Sequence, residues 1–326
     1  MFFRALFVKI LIIIQSLFLI QISNLHAQSY PNKSIHITIG FPPGGAIDTI
    51  MRVMAPKMSK QLGQSVVVEN KAGAGGIIGM QYVARTEADG YNLFMGTMGN
   101  FSITPALVKD LPYQVYRDFQ PITQVAASPF IIFINPQLPV KTLAELIAFA
   151  KANPKNVYFS SSGNAGLPHM AGEMFNQATG TQMIHVPYKG SAPSITDLMG
   201  GQVQLTFEAI AIGLPHLKSG RLKALATTDN KRLTILPDLP AAAETVPGYV
   251  VKNWFGLAAP SGIPMDRVLL IQKVVSLVLQ DPEVLKTLVD LGVEPIGDSP
   301  NQFGALVRQE TERWQKLLQN SGIKSD

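Results

Sequence analysis

The sequence predicts an α/β fold in which most strands are parallel. β-rich runs alternate with amphipathic stretches of helical length from residue 34 to residue 228, a pattern typical of sheets covered by helices. A second observation is that this pattern changes after Pro260, where only helical periodicity remains. The late helices must therefore pack on a sheet that forms from earlier parts of the chain.

The amino-terminal segment, residues 1–27, is predicted to be a secretory signal peptide that is removed. Arg4 and Lys9 precede the apolar run ILIIIQSLFLI, and Ala27 stands before a plausible cleavage point. The run is about half as long as the roughly 20 residues that a membrane span needs, which disfavours the alternative of a signal anchor. Cleavage after Ala27 leaves 299 of the 326 residues, and we expect a periplasmic protein.

Composition excludes several classes of site. The chain has no cysteine, so it has no disulfide, no thiolate metal site and no cysteine for a lipid anchor. The formal net charge of +5 falls to +3 when Arg4 and Lys9 leave with the signal peptide, and no run of basic residues is present. We therefore expect no nucleic-acid partner, no metal and no cofactor, and a monomer in solution.

The elements follow from periodicity and from capping residues. Strands are predicted at 34–41, 65–70, 91–97, 130–135, 156–162, 183–188, 203–210 and 222–228. Helices are predicted at 46–62, 76–86, 141–152, 168–178, 191–200, 211–219, 264–291 and 299–320. Asp281 is placed to cap a helix, with Pro282 at the first helical position.

Two stretches, 116–129 and 245–264, are predicted to cross between two lobes. If the chain leaves the first lobe near residue 124 and returns near residue 252, the middle block forms its own lobe. The prediction is then lobe 1 from 28–123 plus 253–326, and lobe 2 from 124–252. A cleft between two hinged lobes is a common place for a small ligand.

The motif GFPPGGAID directly follows the first predicted strand. Its glycines allow close approach of the backbone to a ligand, and the free N–H groups of the next helix favour an anion. Phe41, Gly44, Gly45 and Asp48 are therefore candidate binding residues. A tight strand-to-helix turn, with Asp48 as an ordinary residue of the first helical turn, is the structural alternative.

Two further loops, MGTMGNFSI and SSSGNAGLPH, resemble each other. Each follows a predicted strand, and each combines hydroxyl groups, glycine and asparagine just before a helix. Thr97 and Asn100 in the first loop, and Ser161, Ser162 and Asn164 in the second, offer neutral donors of the kind that hold a carboxylate. We expect the two loops to face each other across the cleft.

The segment HVPYKGSAPSITDLMGGQVQLTFEA supplies a further strand, loop and helix. Tyr188, Lys189 and Gly190 stand at the tip of one strand, and Glu208 ends the next strand, where an acid is unusual. These residues are candidate ligand contacts. For Tyr188 and Lys189, ordinary solvated loop residues are the alternative.

The motifs favour an anion-binding site over a catalytic, nucleotide-binding or metal site. The segment NKAGAGGIIG has Ile78 where a dinucleotide fingerprint needs its third glycine. No GxSxG motif is present, and His169 lies on the same segment as the serines with no evident acid to orient it. His169 and Glu173 have helical spacing for a metal, but the five histidines are scattered.

Several motifs in order carry a family resemblance over essentially the whole mature chain. They are FPPGGAID, VVVENKAGAGGIIG, ADGYNLFMGT, YFSSSGNAGLPHMAGEMF, VPYKGSAPSITDLMGGQVQLTFE and WFGLAAPSGIP. Together they resemble the tripartite tricarboxylate transporter receptors, also called Bug proteins. The resemblance implies a type II periplasmic-binding-protein fold, with two α/β lobes, two crossovers and a ligand cleft between them.

The same resemblance implies capture of a small carboxylate outside the cytoplasm and delivery to a membrane transporter. Di- or tricarboxylates, acidic amino acids and aromatic acids are the expected ligands. The loops matching 97–100 and 161–165, which include Met98 and Ala165, are expected to hold one carboxylate, while those matching 41–48 and VPYKG close over it. A secreted α/β enzyme acting on a small acid, either a hydrolase or a nucleotide-dependent enzyme, is the alternative.

Two residues depart from the family pattern. Glu208 replaces the usual aspartate and is one methylene longer, and Met98 stands where small or polar residues are common. Both are expected to reshape the far end of the pocket.

Overall fold

The structure is a computed structural model that describes residues 30–163 and 166–321. The predicted signal peptide, Asn164 and Ala165 lie outside the described residues. In the part of the chain that is described, no helix is both long enough and apolar enough to cross a membrane.

Every predicted strand overlaps an observed one, and strands alternate with helices as expected; β4 begins at Phe119, eleven residues before the predicted start at residue 130. The strands are β1 (Ile35–Ile39), β2 (Val66–Asn70), β3 (Asn92–Thr97), β4 (Phe119–Ile134), β5 (Tyr158–Ser161), β6 (Ile184–Pro187), β7 (Leu205–Ala209), β8 (Lys223–Thr227), β9 (Lys252–Pro260) and β10 (Glu294–Pro295).

Most of the helices lie between these strands. They are α1 (Ala46–Leu62), α2 (Ile77–Ala84), α3 (Thr104–Leu107), α4 (Val115–Asp118), α5 (Leu143–Ala152), α6 (Leu167–Thr179), α7 (Ser191–Met199), α8 (Ile210–Lys218), α9 (Ala242–Thr245), α10 (Met265–Val278), α11 (Pro282–Asp290) and α12 (Pro300–Ser321). A 3-10 turn at Ala74–Gly76 precedes α2, and a π-helical turn at Gly99–Ile103 precedes α3.

The sheet has two parallel parts joined by antiparallel strands. β1 pairs in parallel with β2 and β3, and β5 pairs in parallel with β6 and β7. β9 pairs antiparallel with β3 and β4, and β4 pairs antiparallel with β7 and β8. The predicted parallel pairing is therefore found within each half, whereas the predicted crossing segments 116–129 and 245–264 contain the antiparallel strands that join the halves.

The long strand β4 changes partners along its length. Residues Phe119–Pro129 pair with β9, and residues Phe130–Ile134 pair with β7. One hydrophobic cluster packs around β1, α1 and α10, and another around β5, α5 and α6. Each half of the sheet therefore has its own core.

The late helices pack on the first half, as the sequence predicts. α10 and α11 contact α1, and α12 contacts β4. The predicted helix 264–291 is divided in two, because Asp281 caps a new helix by accepting hydrogen bonds from the N–H groups of Glu283 (3.0 Å) and Val284 (3.4 Å). A proline at the first turn fits this start, since its missing N–H would have had no helical partner.

Candidate functional site

The candidate binding residues that the structure describes lie at or just beyond the carboxyl ends of β1, β3, β5, β6 and β7, with Asp48 in the first turn of α1. Within each parallel part these ends share one edge of the sheet, where α/β proteins bind ligands. Three helices that begin in or just after these loops have glycine N-caps, Gly45 for α1, Gly166 for α6 and Gly190 for α7, and no side chain caps them. Uncapped N–H groups at helix starts attract anions.

Asp48 fastens the first loop to the neighbouring strand. Its Oδ2 accepts hydrogen bonds from the Gly44 amide and Arg52 Nε, both at 2.9 Å, and its Oδ1 accepts one from Asn70 Nδ2 at 2.9 Å. Burial disfavours the charge, but the bonds from Arg52, Gly44 and Asn70 outweigh it and lower the pKa of Asp48. Both carboxylate oxygens are therefore used within the protein.

The other candidate residues of this loop differ in exposure. Phe41 is partly buried against the core of the first half, and its carbonyl accepts a hydrogen bond from Asn70 Nδ2 at 3.0 Å. Gly44 and Gly45 are exposed, and Gly44 has a φ of 91°. A side chain at Gly44 would be strained in this left-handed region, so glycine is needed for the turn.

Asn100 organises the second loop from a buried position. Its Oδ1 accepts hydrogen bonds from the amide (3.0 Å) and hydroxyl (3.2 Å) of Thr97, and its Nδ2 donates to the Gly75 carbonyl at 2.7 Å. A Cβ atom on Gly76 would lie 2.3 Å from Nδ2 of Asn100. The glycine-rich segment therefore allows Asn100 to bind against its backbone.

Met98 points into the core. Its side chain is 1% exposed and belongs to the cluster that holds Phe101 and Trp314, and Trp314 Nε1 lies 3.4 Å from its sulfur. Contrary to the expectation that this side chain shapes the far end of a pocket, it lies among core residues.

Ser161 and Ser162 differ in their surroundings. The Ser161 hydroxyl is fully buried, 2.6 Å from His185 Nε2 and 2.8 Å from the Gly163 carbonyl. Ser162 is partly exposed, and its carbonyl accepts a hydrogen bond from the Gly190 amide at 3.2 Å. Ser161 thus holds the loop in shape, and Ser162 lies beside the uncapped start of α7.

Sequence reasoning missed the histidine pair beneath this loop. The His185 ring stacks on the His169 ring with centroids 3.5 Å apart and an interplanar angle of 8°. Burial, together with His169, lowers the pKa of His185 to about 3. His169 Nε2 also lies 3.7 Å from Glu173 Oε1. The sequence around His185 does not indicate His169 as its partner. The two rings meet because α6 packs over β6, and this packing depends on tertiary contacts rather than on the local sequence.

The loop after β6 contains Tyr188, Lys189 and Gly190. The Tyr188 hydroxyl donates to Asp197 Oδ2 at 2.7 Å, and burial and this bond raise the pKa of Tyr188 to about 12. Lys189 is exposed, and Gly190 has a φ of 108°. The tyrosine therefore ties the loop to α7, and the lysine side chain extends into solvent.

Glu208 is the penultimate residue of β7, and its side chain is buried. It is 4% exposed, and its Oε1 accepts a hydrogen bond from the adjacent Ala209 amide at 2.8 Å. Among the described residues its Oε2 has no hydrogen-bond partner. Burial raises the pKa of Glu208, and the nearby Ser191 hydroxyl and the Ala209 amide offset only part of that rise.

The segments that follow the two serine- and asparagine-containing loops meet in one hydrophobic cluster. Met98 and Phe101 from the first half share this cluster with Met170 of α6, and Leu167 packs against it. Trp254 of β9 belongs to it too. Residues that follow β3 and residues at the start of α6 therefore belong to one cluster.

Residues 50–323 match the family model described as the tripartite tricarboxylate transporter family receptor. The chain belongs to this family. Members of the family are solute-binding receptors rather than enzymes. Within residues 30–163 and 166–321 no three acidic or histidine side chains are grouped to hold a metal ion.

Relatives of this receptor are similar over nearly its whole length. It is 35% identical to the protein BugT of Bordetella pertussis over 91% of this chain and 92% of BugT. Rpa4515 of R. palustris, solved with adipate, is 34% identical with a TM-score of 0.75 over 90% of this chain and 99% of its own. MatC of Rhodopseudomonas palustris, solved with bound malate, is 30% identical with a TM-score of 0.70, over 89% of this chain and all of MatC.

Proposed function

We propose that this receptor captures a small carboxylate in a cleft between two lobes and delivers it to a membrane transporter of the tripartite tricarboxylate type. A di- or tricarboxylate, an acidic amino acid or an aromatic acid would be the ligand. The observation that carries the proposal is the similarity, over nine-tenths of the chain, to two proteins solved with adipate and malate. We further propose that the chain is exported through residues 1–27, acts in the periplasm as a monomer and catalyses no reaction.

The lobes in this proposal comprise residues 28–123 plus 253–326 and residues 124–252. The separate cores and the change of partner along β4 support a division of this kind. β4 and β9 are then the two connections about which the lobes close. Closure excludes water and strengthens hydrogen bonds to the anion, and the ligand favours the closed form because it binds that form better.

The proposed site holds the carboxylate with neutral donors. Ser162 and the uncapped starts of α6 and α7 surround one position at the edge of the sheet. Asn164 and Ala165 complete this loop in the proposal, while Asp48, Asn100 and Ser161 keep the loops in shape through internal hydrogen bonds. The amides at the helix starts supply positive potential without a buried cation.

A thermal-shift screen of the purified protein against a panel of organic acids tests the proposal. A bound acid raises the apparent stability by mass action. Calorimetry on the acid that binds should then show about a tenfold or greater loss for Ser162→Ala with Asn164→Ala, the scale of hydrogen bonds to a charged group. Ser219→Ala, an exposed serine at the end of α8, is the control and should bind normally. Unchanged affinity in the double variant would place the site elsewhere.

The alternative of a hydrolase draws support from one distance, the 2.6 Å between the Ser161 hydroxyl and His185 Nε2. Against it, the hydroxyl is fully buried and also lies 2.8 Å from the Gly163 carbonyl. Incubation with activated esters and a serine-directed phosphonate distinguishes the two functions. Turnover or labelling that is lost in Ser161→Ala would favour the enzyme, and a co-purified nucleotide in native mass spectrometry would favour a nucleotide-dependent one.

A further inference from the structure

Glu208 carries a buried carboxylate oxygen for which the described residues provide no hydrogen bond. Oε1 accepts a hydrogen bond from the amide of the next residue. Among the described residues Oε2 has no partner at hydrogen-bonding geometry, although the Ser191 hydroxyl lies near the carboxylate and offsets part of the rise in its pKa. Buried polar atoms are nearly always paired, so an unpaired one calls for a specific reason. A ligand group is such a reason when the atom lies beside a binding site.

The register of the sheet places Glu208 beside Ser162. β5 and β7 are parallel neighbours in which Ser160 pairs with Thr206. β5 ends at Ser161, so Ser162 directly follows the strand, and continuing this register by two residues would bring it level with Glu208 at the carboxyl edge. Adjacent strands are about 4.8 Å apart. Side chains at the ends of two such strands can therefore converge on a carboxylate and on a substituent of the neighbouring carbon, which lie closer together than the strands do.

The face of the sheet on which Glu208 lies is the face covered by α7. The Ser194 hydroxyl of α7 donates to the Ser160 hydroxyl at 2.8 Å, and Thr206 donates to the Ser160 carbonyl at 2.9 Å. Phe207 points to the opposite side, into the core of the second half. Glu208 alternates back to the side of Thr206 and reaches the uncapped start of α7, where Ser191 lies near it.

Within residues 30–163 and 166–321, no cation lies in ion-pair contact with this carboxylate, and the adjacent loop lysine, Lys189, is exposed. A second ligand carboxylate placed at Oε2 would meet a like charge in a poorly solvated site. A hydrogen-bond donor on the ligand would instead satisfy the oxygen.

We propose that Glu208 is a specificity-determining residue that selects acids with a hydroxyl or ammonium group on the carbon next to the bound carboxylate. This inference rests on the proposed function and narrows its ligand class to α-hydroxy and α-amino acids. Ser162 and the helix starts hold the carboxylate, and Oε2 of Glu208 accepts a hydrogen bond from the α-substituent. Acids without this donor leave the oxygen unpaired and bind less tightly.

Three matched series of acids test the selection by calorimetry: propionate, lactate and alanine; succinate, malate and aspartate; and phenylacetate, mandelate and phenylglycine. In the series that binds, the α-hydroxy or α-amino acid should bind at least about tenfold more tightly than the unsubstituted acid. The two substituted members of each series distinguish a hydroxyl from an ammonium donor. Glu208→Gln should reduce the preference to about threefold or less, and should reduce it most for ammonium.

Two further variants separate recognition from folding. Ser194→Ala removes a buried hydrogen bond of α7 and should lower the melting temperature while keeping the preference. Glu208→Asp keeps the charge on a shorter side chain and should retain part of the preference. Binding without preference for the α-substituted acid, or a preference unchanged in Glu208→Gln, would overturn the inference and leave the carboxylate receptor intact. Binding of no acid in these series or in the wider panel would refute both.

Discussion

Replacing Asp48 by alanine tests whether this residue shapes the loop or binds the ligand. The structure shows three internal hydrogen bonds to a side chain that is 2% exposed. We expect a clear loss of stability. Ligand affinity should fall only indirectly, because the turn at Gly44 is held less firmly without the Asp48 carboxylate.

The size of the stability loss depends on how far each of the three donors can replace its hydrogen bond to Asp48. Hydrogen bonds to a charged group contribute about 1.5–3 kcal/mol each. Arg52 keeps its bond to Asn70 Oδ1 at 2.7 Å and is half-exposed, and the exposed Gly44 amide can bind water. Asn70 Nδ2 keeps the Phe41 carbonyl. The net loss should therefore be near that of one buried charged bond, about 2–3 kcal/mol, or roughly 4–10 °C in melting temperature.

Urea unfolding and calorimetry of Asp48→Ala give the two quantities. Asp290→Asn, which breaks an exposed ion pair with Lys286, is the control and should change stability by less than about 0.5 kcal/mol. Because the folded-state pKa of Asp48 is lowered, its contribution is present above the unfolded value of about 3.9 and is lost as the pH falls through the folded value. Lost affinity at unchanged stability would refute the structural role and make Asp48 a ligand contact.

Three other perturbations have directions set by the structure. Lys252→Met leaves the fully buried Asp229 without the cation 2.5 Å away and should cost about 3–5 kcal/mol in urea unfolding, with much of it regained by adding Asp229→Asn. Asn100→Ala breaks the bond to the Gly75 carbonyl and two bonds from Thr97, and should cost about 2 kcal/mol by the same measurement. Since the pKa of His185 is lowered from 6.5 to about 3, the unfolded chain binds a proton first, so stability should fall as the pH drops from about 6.5 towards 3, and less steeply in His185→Gln.

The local elements were predictable because their signals are local. Alternating isoleucines predict β1, and Asp281 with Pro282 predicts the start of α11. β9 and the first part of β4 were predicted as crossings, because neither stretch shows a clear alternation of apolar and polar residues. Their strand character depends on pairing with each other, which tertiary contacts decide.

The candidate site was predictable as a set of loops but not as a set of contacts. Strand order alone indicates that loops after parallel strands share one edge, which brings Ser162 and Gly190 together. The direction of each side chain depends on packing that the motif does not contain. Met98 lies in a polar loop motif, yet it packs beside Trp314, a residue more than 200 positions away.

The candidate site residues form two groups. In one group the polar atoms are already hydrogen-bonded within the protein, and in the other they are not. Asp48, Asn100 and Ser161 bind loop backbone or neighbouring side chains, so they set the shape of the site for any anion. Uncapped helix starts attract a carboxylate and carry little further selectivity. In the proposed site, selectivity would come from the few groups left unpaired near the carboxylate, and Oε2 of Glu208 is an unpaired group in the described chain. One added methylene at the end of β7 would therefore change which acid binds without changing the loops that hold it.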